Sequence, residues 1–199
     1  MVQLFGEFSE EPLNGREYLT FGFVPNLIPQ QQRWRNNGLL ADILANYSTT
    51  FFSTDDSDPK SFKKQNKFKG VVSHIANELL ENAVKFNDET SDSAIKIQFH
   101  LHRHRLILCV TNSVPPGNVD KFQSFIQDLL NTDLDELYLR QMTVAVEDES
   151  MTSSGLGLLM MISGYGAKLG WKFEMVQKNP ERIAVTTMVQ LVGNLVQLV

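Results

Sequence analysis

The sequence predicts an α/β fold of the α+β type: a two-layer sandwich whose mixed β-sheet is covered on one face by helices. Residues 71–87 form the strongest helical pattern, with an apolar stripe along one side. Two pairs of strand patterns, within residues 94–111 and 171–191, follow it along the chain. This order is not the regular strand–helix alternation of a doubly wound fold.

The length and the net charge limit the classes of protein to which this chain can belong. The 199 residues suit one domain with an appendage, which we divide into an N-terminal extension with a polar loop, 1–67, and the domain proper, 68–199. The net charge of -5 gives no general case for binding nucleic acid. Cys109 is the single cysteine, which excludes a disulfide within the chain, and its apolar surroundings predict a small core residue.

The ends and the apolar runs predict a cytoplasmic protein. The first residues include Glu7, Glu10 and Glu11 and lack a basic and then apolar leader. No apolar run reaches 18 residues, so we expect no membrane span.

The N-terminal extension contains one strand pattern and one helix pattern. Residues 18–24 are the strand, and residues 29–50 carry apolar side chains at helical spacing. Gly38, after two asparagines, indicates a kink or a helix start. Arg33 and Arg35 are candidates for binding a phosphate or a partner, although solvation or local pairing is the favoured interpretation. Residues 52–67 are polar and predict a surface loop or short linker.

The helix at residues 71–87 carries polar side chains beside its apolar stripe. Glu78 and Asn82 are four residues apart and are therefore neighbours on the helix surface, and Lys85 follows on the same flank. His74 is interpreted as a surface histidine. The stripe itself consists of Val72, Ile75, Ala76, Leu79, Leu80 and Ala83.

Two strands follow, at residues 94–102 and 105–111. Alternation along the first places its isoleucines, Phe99 and Leu101 inward, and His100 and His102 outward. With His104 these histidines suggest a zinc site, but no carboxylate or thiol joins them, so a solvated face is the favoured reading and zinc the alternative.

The C-terminal half alternates loops with helices. Residues 112–118 predict a sharp loop, and residues 119–142 one broken helix or two short ones, capped at Thr132 or Asp133. Residues 143–153 are interpreted as a mobile lid. Gly155 and Gly157 then precede an apolar helix that extends to residue 169, and the last strands, residues 171–176 and 183–191, flank a turn at 178–180.

Two of these features can carry chemistry. Gly155 and Gly157 let backbone amides approach an anion at the start of a helix, although a packing turn is the default interpretation of such glycines. Asn82 can bind Mg²⁺ together with phosphate oxygens and water, and Glu78 can accept a proton from an attacking hydroxyl. The alternative for this pair is a half-exposed Glu–Asn hydrogen bond.

Together these motifs resemble a known superfamily. Residues 77–86, NELLENAVKF, resemble the N-box of the GHKL, or Bergerat-fold, ATPases, and residues 154–158, SGLGL, resemble their second glycine box. Residues 110–142 are similar to the middle segment of stand-alone SiaB-type protein kinases, and residues 28–47 to the N-terminal part of their cyanobacterial relatives. The resemblance to the GHKL superfamily spans roughly residues 68–192.

The resemblance implies roles for individual residues. Glu78 would be the catalytic base, Asn82 the Mg²⁺ ligand and Lys85 a phosphate contact. The second glycine box, namely Ser154, Gly155, Leu156, Gly157 and Leu158, would supply amides to the phosphates of ATP or ADP. Asn112 stands where the family has an aspartate that binds adenine, and Ser153 replaces a frequent glycine.

The leading functional hypothesis is a Ser/Thr protein kinase related to anti-sigma-factor kinases. Its partner would be a small SiaC-like or anti-sigma-factor-antagonist-like protein, and a homodimer is a family-level expectation. The altered adenine position keeps open a non-catalytic nucleotide-sensing scaffold, and a plain ATPase is a third reading. The residues before the N-box contain no phosphoacceptor histidine region, which argues against a sensor histidine kinase.

Overall fold

The computed structural model describes residues 1–10, 17–50, 59–102, 104–147 and 155–192. Its strands are β1 (Val2–Gly6), β2 (Glu17–Phe23), β3 (Ile95–Leu101), β4 (Arg105–Val114), β5 (Lys168–Lys178) and β6 (Glu181–Val192). Its α-helices are α1 (Gln30–Thr49), α2 (Pro59–Lys85), α3 (Val119–Asn131), α4 (Leu134–Glu147) and α5 (Leu156–Tyr165).

One six-stranded sheet carries the helices, in the order β1-β5-β6-β4-β3-β2. The two-layer α+β sandwich expected from the sequence is confirmed. Every described pairing is antiparallel, however, so the sheet is not mixed. The cause is local: three residues separate β3 from β4 and two separate β5 from β6, and such short connections can only join antiparallel neighbours.

The N-terminal residues contribute to both edges of this sheet. Strand β1 pairs with β5 at one edge, and β2 pairs with β3 at the other. The division at residue 67 falls within α2, which begins at Pro59. The loop expected at residues 59–67 is therefore wrong: lysine and glutamine are good helix formers, and proline is well tolerated at the first helical position.

The main core lies between the helices and one face of the sheet. The inward residues of β3, Ile95, Ile97, Phe99 and Leu101, are buried as the alternation predicted. They contact the apolar stripe of α2 within one cluster that also contains the fully buried Trp171. This packing fixes the side of α2 that faces the sheet.

The opposite face of the sheet is covered in part. Ile107, Cys109 and Met188 form a small buried cluster with Phe8 packed against it. Burial raises the pKa of the Cys109 thiol to about 12, in agreement with its expected role as a small core residue.

His100 belongs to this partly covered face. It is only 2% exposed and its ring stacks on that of Tyr18, so the solvated side chain expected from the sequence is wrong. Burial lowers the pKa of His100, and the nearby His102 lowers it further. Strand alternation gives the face of a sheet but does not show whether other residues cover that face. No group of three His, Cys, Asp or Glu side chains placed to hold a metal occurs in the described residues.

Helix α1 continues through Gly38 without a break. Arg33 on its inner side is buried; its guanidinium donates to the carbonyl oxygen of Val24 at 3.0 Å and lies 4.2 Å from the ring centroid of Phe23. Arg33 is therefore locally paired, as the favoured interpretation held.

Helices α3 and α4 are two separate helices, one of the two alternatives that the sequence left open. The Asp133 carboxylate accepts hydrogen bonds from the amides of Asp135 and Glu136, which confirms its expected capping role. Of the proposed lid, residues 143–147 belong to α4, and residues 148–153 lie outside the described residues. None of the described helices has the length and apolar content that crossing a membrane would require.

Candidate functional site

One flank of α2 carries the polar residues singled out from the sequence. His74, Glu78 and Asn82 follow one another at intervals of four residues, and Lys85 comes one turn later. The first three are half-buried, whereas Lys85 is exposed at the C-terminal end of the helix, where a cation is favoured. The ammonium nitrogen of Lys85 lies 5.3 Å from the ring centroid of Phe86.

Helix α5 meets this flank at Glu78. Gly155 precedes the helix with a φ of 118°, a backbone conformation that favours glycine. A Cβ added at Gly157, in the first turn, would lie 2.0 Å from Glu78 Oε2 and 2.8 Å from its Cδ. The carboxylate of Glu78 therefore occupies the space that the missing side chain leaves at the start of α5.

Of the other residues of the glycine box, some pack α5 into the core and some offer backbone amides. Leu158 is buried in the main core and fixes the first turn of α5 to the rest of the protein. Leu156 is half-buried beside it. The first turn of a helix has amides without partners inside the helix, and these can bind an anion. Ser154 lies outside the described residues.

The environment of Glu78 favours its protonated form. Burial raises the pKa of the carboxyl group. His74 opposes this shift, and the negative charge of Glu81 adds to it. A carboxylate with a raised pKa is a stronger proton acceptor at neutral pH than an ordinary one.

His74 belongs to the site, contrary to its interpretation as a surface histidine. Its Nε2 is buried and has no hydrogen-bond partner among the described residues, and its ring meets that of Tyr165 edge-on at 5.7 Å. Burial raises the pKa of Tyr165, and the charge of Glu78 raises it further. The sequence held a signal for His74, because it precedes Glu78 by four residues. It held none for Tyr165, which lies on another helix.

Asn112 lies in strand β4 rather than in the loop expected from the sequence. It is paired with Val185 and is half-buried on the helix-facing side of the sheet. Its side-chain amide nitrogen donates to the carbonyl oxygen of Ser113 at 3.0 Å. This bond orients the side chain, so the amide oxygen is the group available to accept a hydrogen bond from a ligand.

A buried cluster of polar residues continues the hydrogen bonding of β4 beyond the point where β3 begins. The amide of Ser113 donates to Asn87 Oδ1 at 3.2 Å, and its carbonyl oxygen accepts from the amide of Asp88 at 2.9 Å. The hydroxyls of Ser113 and Ser91 are 3.0 Å apart. Residues 87–91 thus take the place of a neighbouring strand, which allows Asn112 to remain in the sheet and ties it to the end of α2.

We expect Asn87→Ala to lower the free energy of unfolding by about 1–3 kcal/mol, because it leaves the buried amide of Ser113 without an acceptor. Urea denaturation measures this change. Asn131→Ala is the matched control, because the Asn131 side chain is exposed and its amide donates to the carbonyl oxygen of Gln127 in its own helix. Equal stability of the two variants would contradict the role assigned to Asn87.

The structure thus brings together Glu78 with Gly157 and His74 with Tyr165, and Asn82 lies one turn from Glu78 on the same flank of α2. A carboxylate and an amide lie in one row of α2, opposite the start of a helix. This combination can accept a proton, bind a cation and hold an anion within one small region.

Comparisons with known proteins address the fold. No protein-family profile matches the sequence, and no curated protein matches it either. A chain in the crystal structure of the SiaB–SiaC complex from Pseudomonas aeruginosa is similar in structure, with a TM-score of 0.55 and 15% sequence identity. The match covers 87% of this chain and 89% of that chain. The chain therefore has a SiaB-like fold.

Proposed function

We propose that this protein is an ATP- and Mg²⁺-dependent Ser/Thr protein kinase of the GHKL superfamily with a Bergerat ATP-binding fold, from the cyanobacterial branch of SiaB-type kinases. The observation that carries the proposal is the contact between Glu78 and Gly157. It joins the N-box-like and glycine-box-like motifs, which are about 80 residues apart in sequence, into one site.

The residues present fit such a nucleotide. The space beside Gly157 is filled by the Glu78 carboxylate, so a proton acceptor lies next to the first turn of α5, and the half-buried Asn82 offers the oxygen donor that Mg²⁺ prefers. In this proposal Asn82 binds the metal, Lys85 contacts the phosphates and the amides of residues 154–158 hold the triphosphate. The amide oxygen of Asn112 accepts a hydrogen bond from the adenine amino group.

The chemistry requires a proton acceptor beside the nucleotide. MgATP supplies the phosphoryl group. Glu78 orients the hydroxyl of the protein substrate and accepts its proton, and its raised pKa suits that task. The amides at the start of α5 stabilise the negative charge of the transferred group.

The partner is a small SiaC-like or anti-sigma-factor-antagonist-like protein. Support comes from the SiaB-like fold, since a structure that shares it is a complex of SiaB with SiaC. A non-catalytic scaffold of the same fold is the second candidate, favoured by Asn112 at the adenine position. A plain ATPase is the third.

Transfer of label from ATP separates these candidates. The wild type is incubated with labelled ATP, Mg²⁺ and a purified SiaC-like protein, beside Glu78→Ala and Asn82→Ala. A kinase labels the partner and loses this activity in both variants. Nucleotide binding without transfer supports the scaffold, release of free phosphate supports the ATPase, and transfer insensitive to both substitutions contradicts the assigned roles.

We expect Asn112→Ala to weaken nucleotide binding about five- to tenfold, because one hydrogen bond to the base is lost, with little change in turnover at saturation. Calorimetric titration with a non-hydrolysable ATP analogue measures the affinity. Asn118→Ala is the control, because that exposed side chain makes no capping hydrogen bond. Unchanged affinity of Asn112→Ala would refute the adenine role.

A further inference from the structure

The N-terminal half of α2 carries a concentration of positive charge that the proposed chemistry does not use. Residues 59–77 contain five lysines and no acidic residue, in a chain whose net charge is -5. Cations in the first turns of a helix are disfavoured by the helix dipole. Lysine favours the helical conformation itself, but the dipole does not account for a cluster of cations at this end of the helix.

Four of these lysines form one line with the site. At 100° per residue, Lys60, Lys63, Lys64 and Lys67 all fall within about 60° of the direction of Glu78 around the helix axis. We call these four residues the lysine stripe. Lys67 precedes Glu78 by eleven residues, which is about 16 Å along the helix.

Neither the sheet nor α1 covers this side of α2. The sheet takes an adjoining side, about 80–120° around the helix axis from Glu78, where Phe68, Val72 and Leu79 are buried. Helix α1 takes another flank, where Asp42 accepts a hydrogen bond from Ser73 at 3.0 Å.

Lys63 and Lys67 are the members of the stripe on which the inference rests. Both are exposed, and neither forms an ion pair with any residue in the described part of the chain. Lys60 and Lys64 do have contacts within the chain.

We propose that the lysine stripe docks an acidic surface of the protein substrate and so directs the substrate's hydroxyl towards Glu78. This inference rests on the proposed function for the nature of the substrate, and it adds that the docking surface of the substrate is acidic. Complementary charge of this kind raises the rate of encounter and fixes the register of two proteins.

An acidic protein surface suits the stripe better than a nucleic acid or a lipid surface. Duplex DNA and anionic membranes require a large basic surface, whereas this chain of net charge -5 offers only a small basic patch. The stripe spans only about 10 Å of helix, which matches a short acidic segment of a protein.

A fluorescein-labelled decaglutamate peptide is the probe, and fluorescence anisotropy at low salt measures its binding without any nucleotide. We expect Lys63→Glu/Lys67→Glu to weaken binding at least about tenfold, since four units of charge change at the stripe. Lys121→Glu/Lys178→Glu is the matched control: it changes the net charge equally at exposed positions elsewhere and should change affinity less than about threefold.

Two further measurements keep the inference falsifiable. Lys63→Gln/Lys67→Gln should give an intermediate affinity, and urea denaturation checks that every variant folds as stably as the wild type. Equal loss of affinity in the stripe and control variants would overturn the proposal. Tighter binding of duplex DNA or of phosphatidylserine-containing vesicles than of the peptide would overturn it too.

A wrong docking surface and a wrong kinase function give different results in these experiments. Peptide binding that depends on the stripe, together with no transfer in the labelled-ATP assay, contradicts the kinase and leaves the acidic docking surface. Transfer that depends on Glu78 but is unchanged in Lys63→Glu/Lys67→Glu contradicts the docking surface and leaves the kinase.

Discussion

Glu78→Gln is expected to lower the rate of phosphoryl transfer by at least about 100-fold, with little effect on nucleotide affinity. The amide has nearly the shape of the carboxyl group, so the contact with Gly157 is kept while the proton acceptor is lost. Loss of a general base typically costs 10²–10⁴-fold in rate. Single-turnover transfer from labelled ATP to the partner measures the chemical step.

The same substitution is expected to raise the free energy of unfolding at neutral pH. The pKa of Glu78 is raised in the folded protein, so the folded state binds the proton more tightly than the unfolded chain does. The contribution of this group to stability is present below the pKa of an unfolded glutamate, about 4.3, and is lost as the pH rises through the raised pKa of the folded state. Glutamine carries no charge, so the free energy of unfolding of Glu78→Gln should exceed that of the wild type by an amount that grows over that pH range.

Urea denaturation at several pH values between 4 and 8 tests the stability effect, and the pH dependence of transfer tests the same pKa by a second route. Transfer by the wild type should fall as the pH drops through the raised pKa of Glu78. Glu89→Gln is the control, because Glu89 is exposed. A Glu78→Gln variant that transfers at the rate of the wild type would contradict the role of proton acceptor.

The sequence predicted those parts of the fold that depend on periodicity. The stripe of α2 and the alternation of β3 follow from spacing that a single element imposes, whereas the choice between one broken helix and the separate α3 and α4 stayed open. It misjudged residues 59–67, because polar composition is shared by loops and by exposed helices. It also misjudged His100, whose burial depends on what covers that face of the sheet.

For the candidate site too, the sequence predicted what helical spacing determines and missed what contacts between distant elements determine. Glu78, Asn82 and Lys85 could be placed in one row because helical spacing fixes their relation. The contacts of Glu78 with α5 and of His74 with Tyr165 join helices that are far apart in sequence. Asn112 was expected in a loop because asparagine and serine favour turns. The polar cluster around Ser113 keeps it in the strand, and only tertiary structure shows that cluster.

Gly157→Ala is expected to reduce phosphoryl transfer at least about tenfold while leaving the protein folded. The added Cβ would lie 2.0 Å from Glu78 Oε2, so the carboxylate must move. A displacement of about 1 Å in a catalytic group can cost about 100-fold in rate. The cost in stability is small, because the end of the glutamate side chain can rotate away and alanine is the better helix former.

A double-mutant cycle isolates the contact itself. In a Glu78→Ala background the new methyl group has space, so Gly157→Ala should stabilise the protein there by up to about 1 kcal/mol. We expect the two substitutions to be coupled by about 1–2 kcal/mol in the free energy of unfolding, as is usual for side chains in direct contact. Urea denaturation of the four proteins measures this energy without any assumption about nucleotide or partner.

Gly70→Ala is the matched control for this cycle. Gly70 lies in α2 like Glu78, and a Cβ added there meets nothing within 4 Å. It should therefore stabilise the protein by up to about 1 kcal/mol equally in both backgrounds. The effects of Gly70→Ala and Glu78→Ala on the free energy of unfolding should simply add. If the effects of Gly157→Ala and Glu78→Ala added in the same way, Glu78 would not rest against α5. The joining of the two motifs, on which the proposed function depends, would then be wrong.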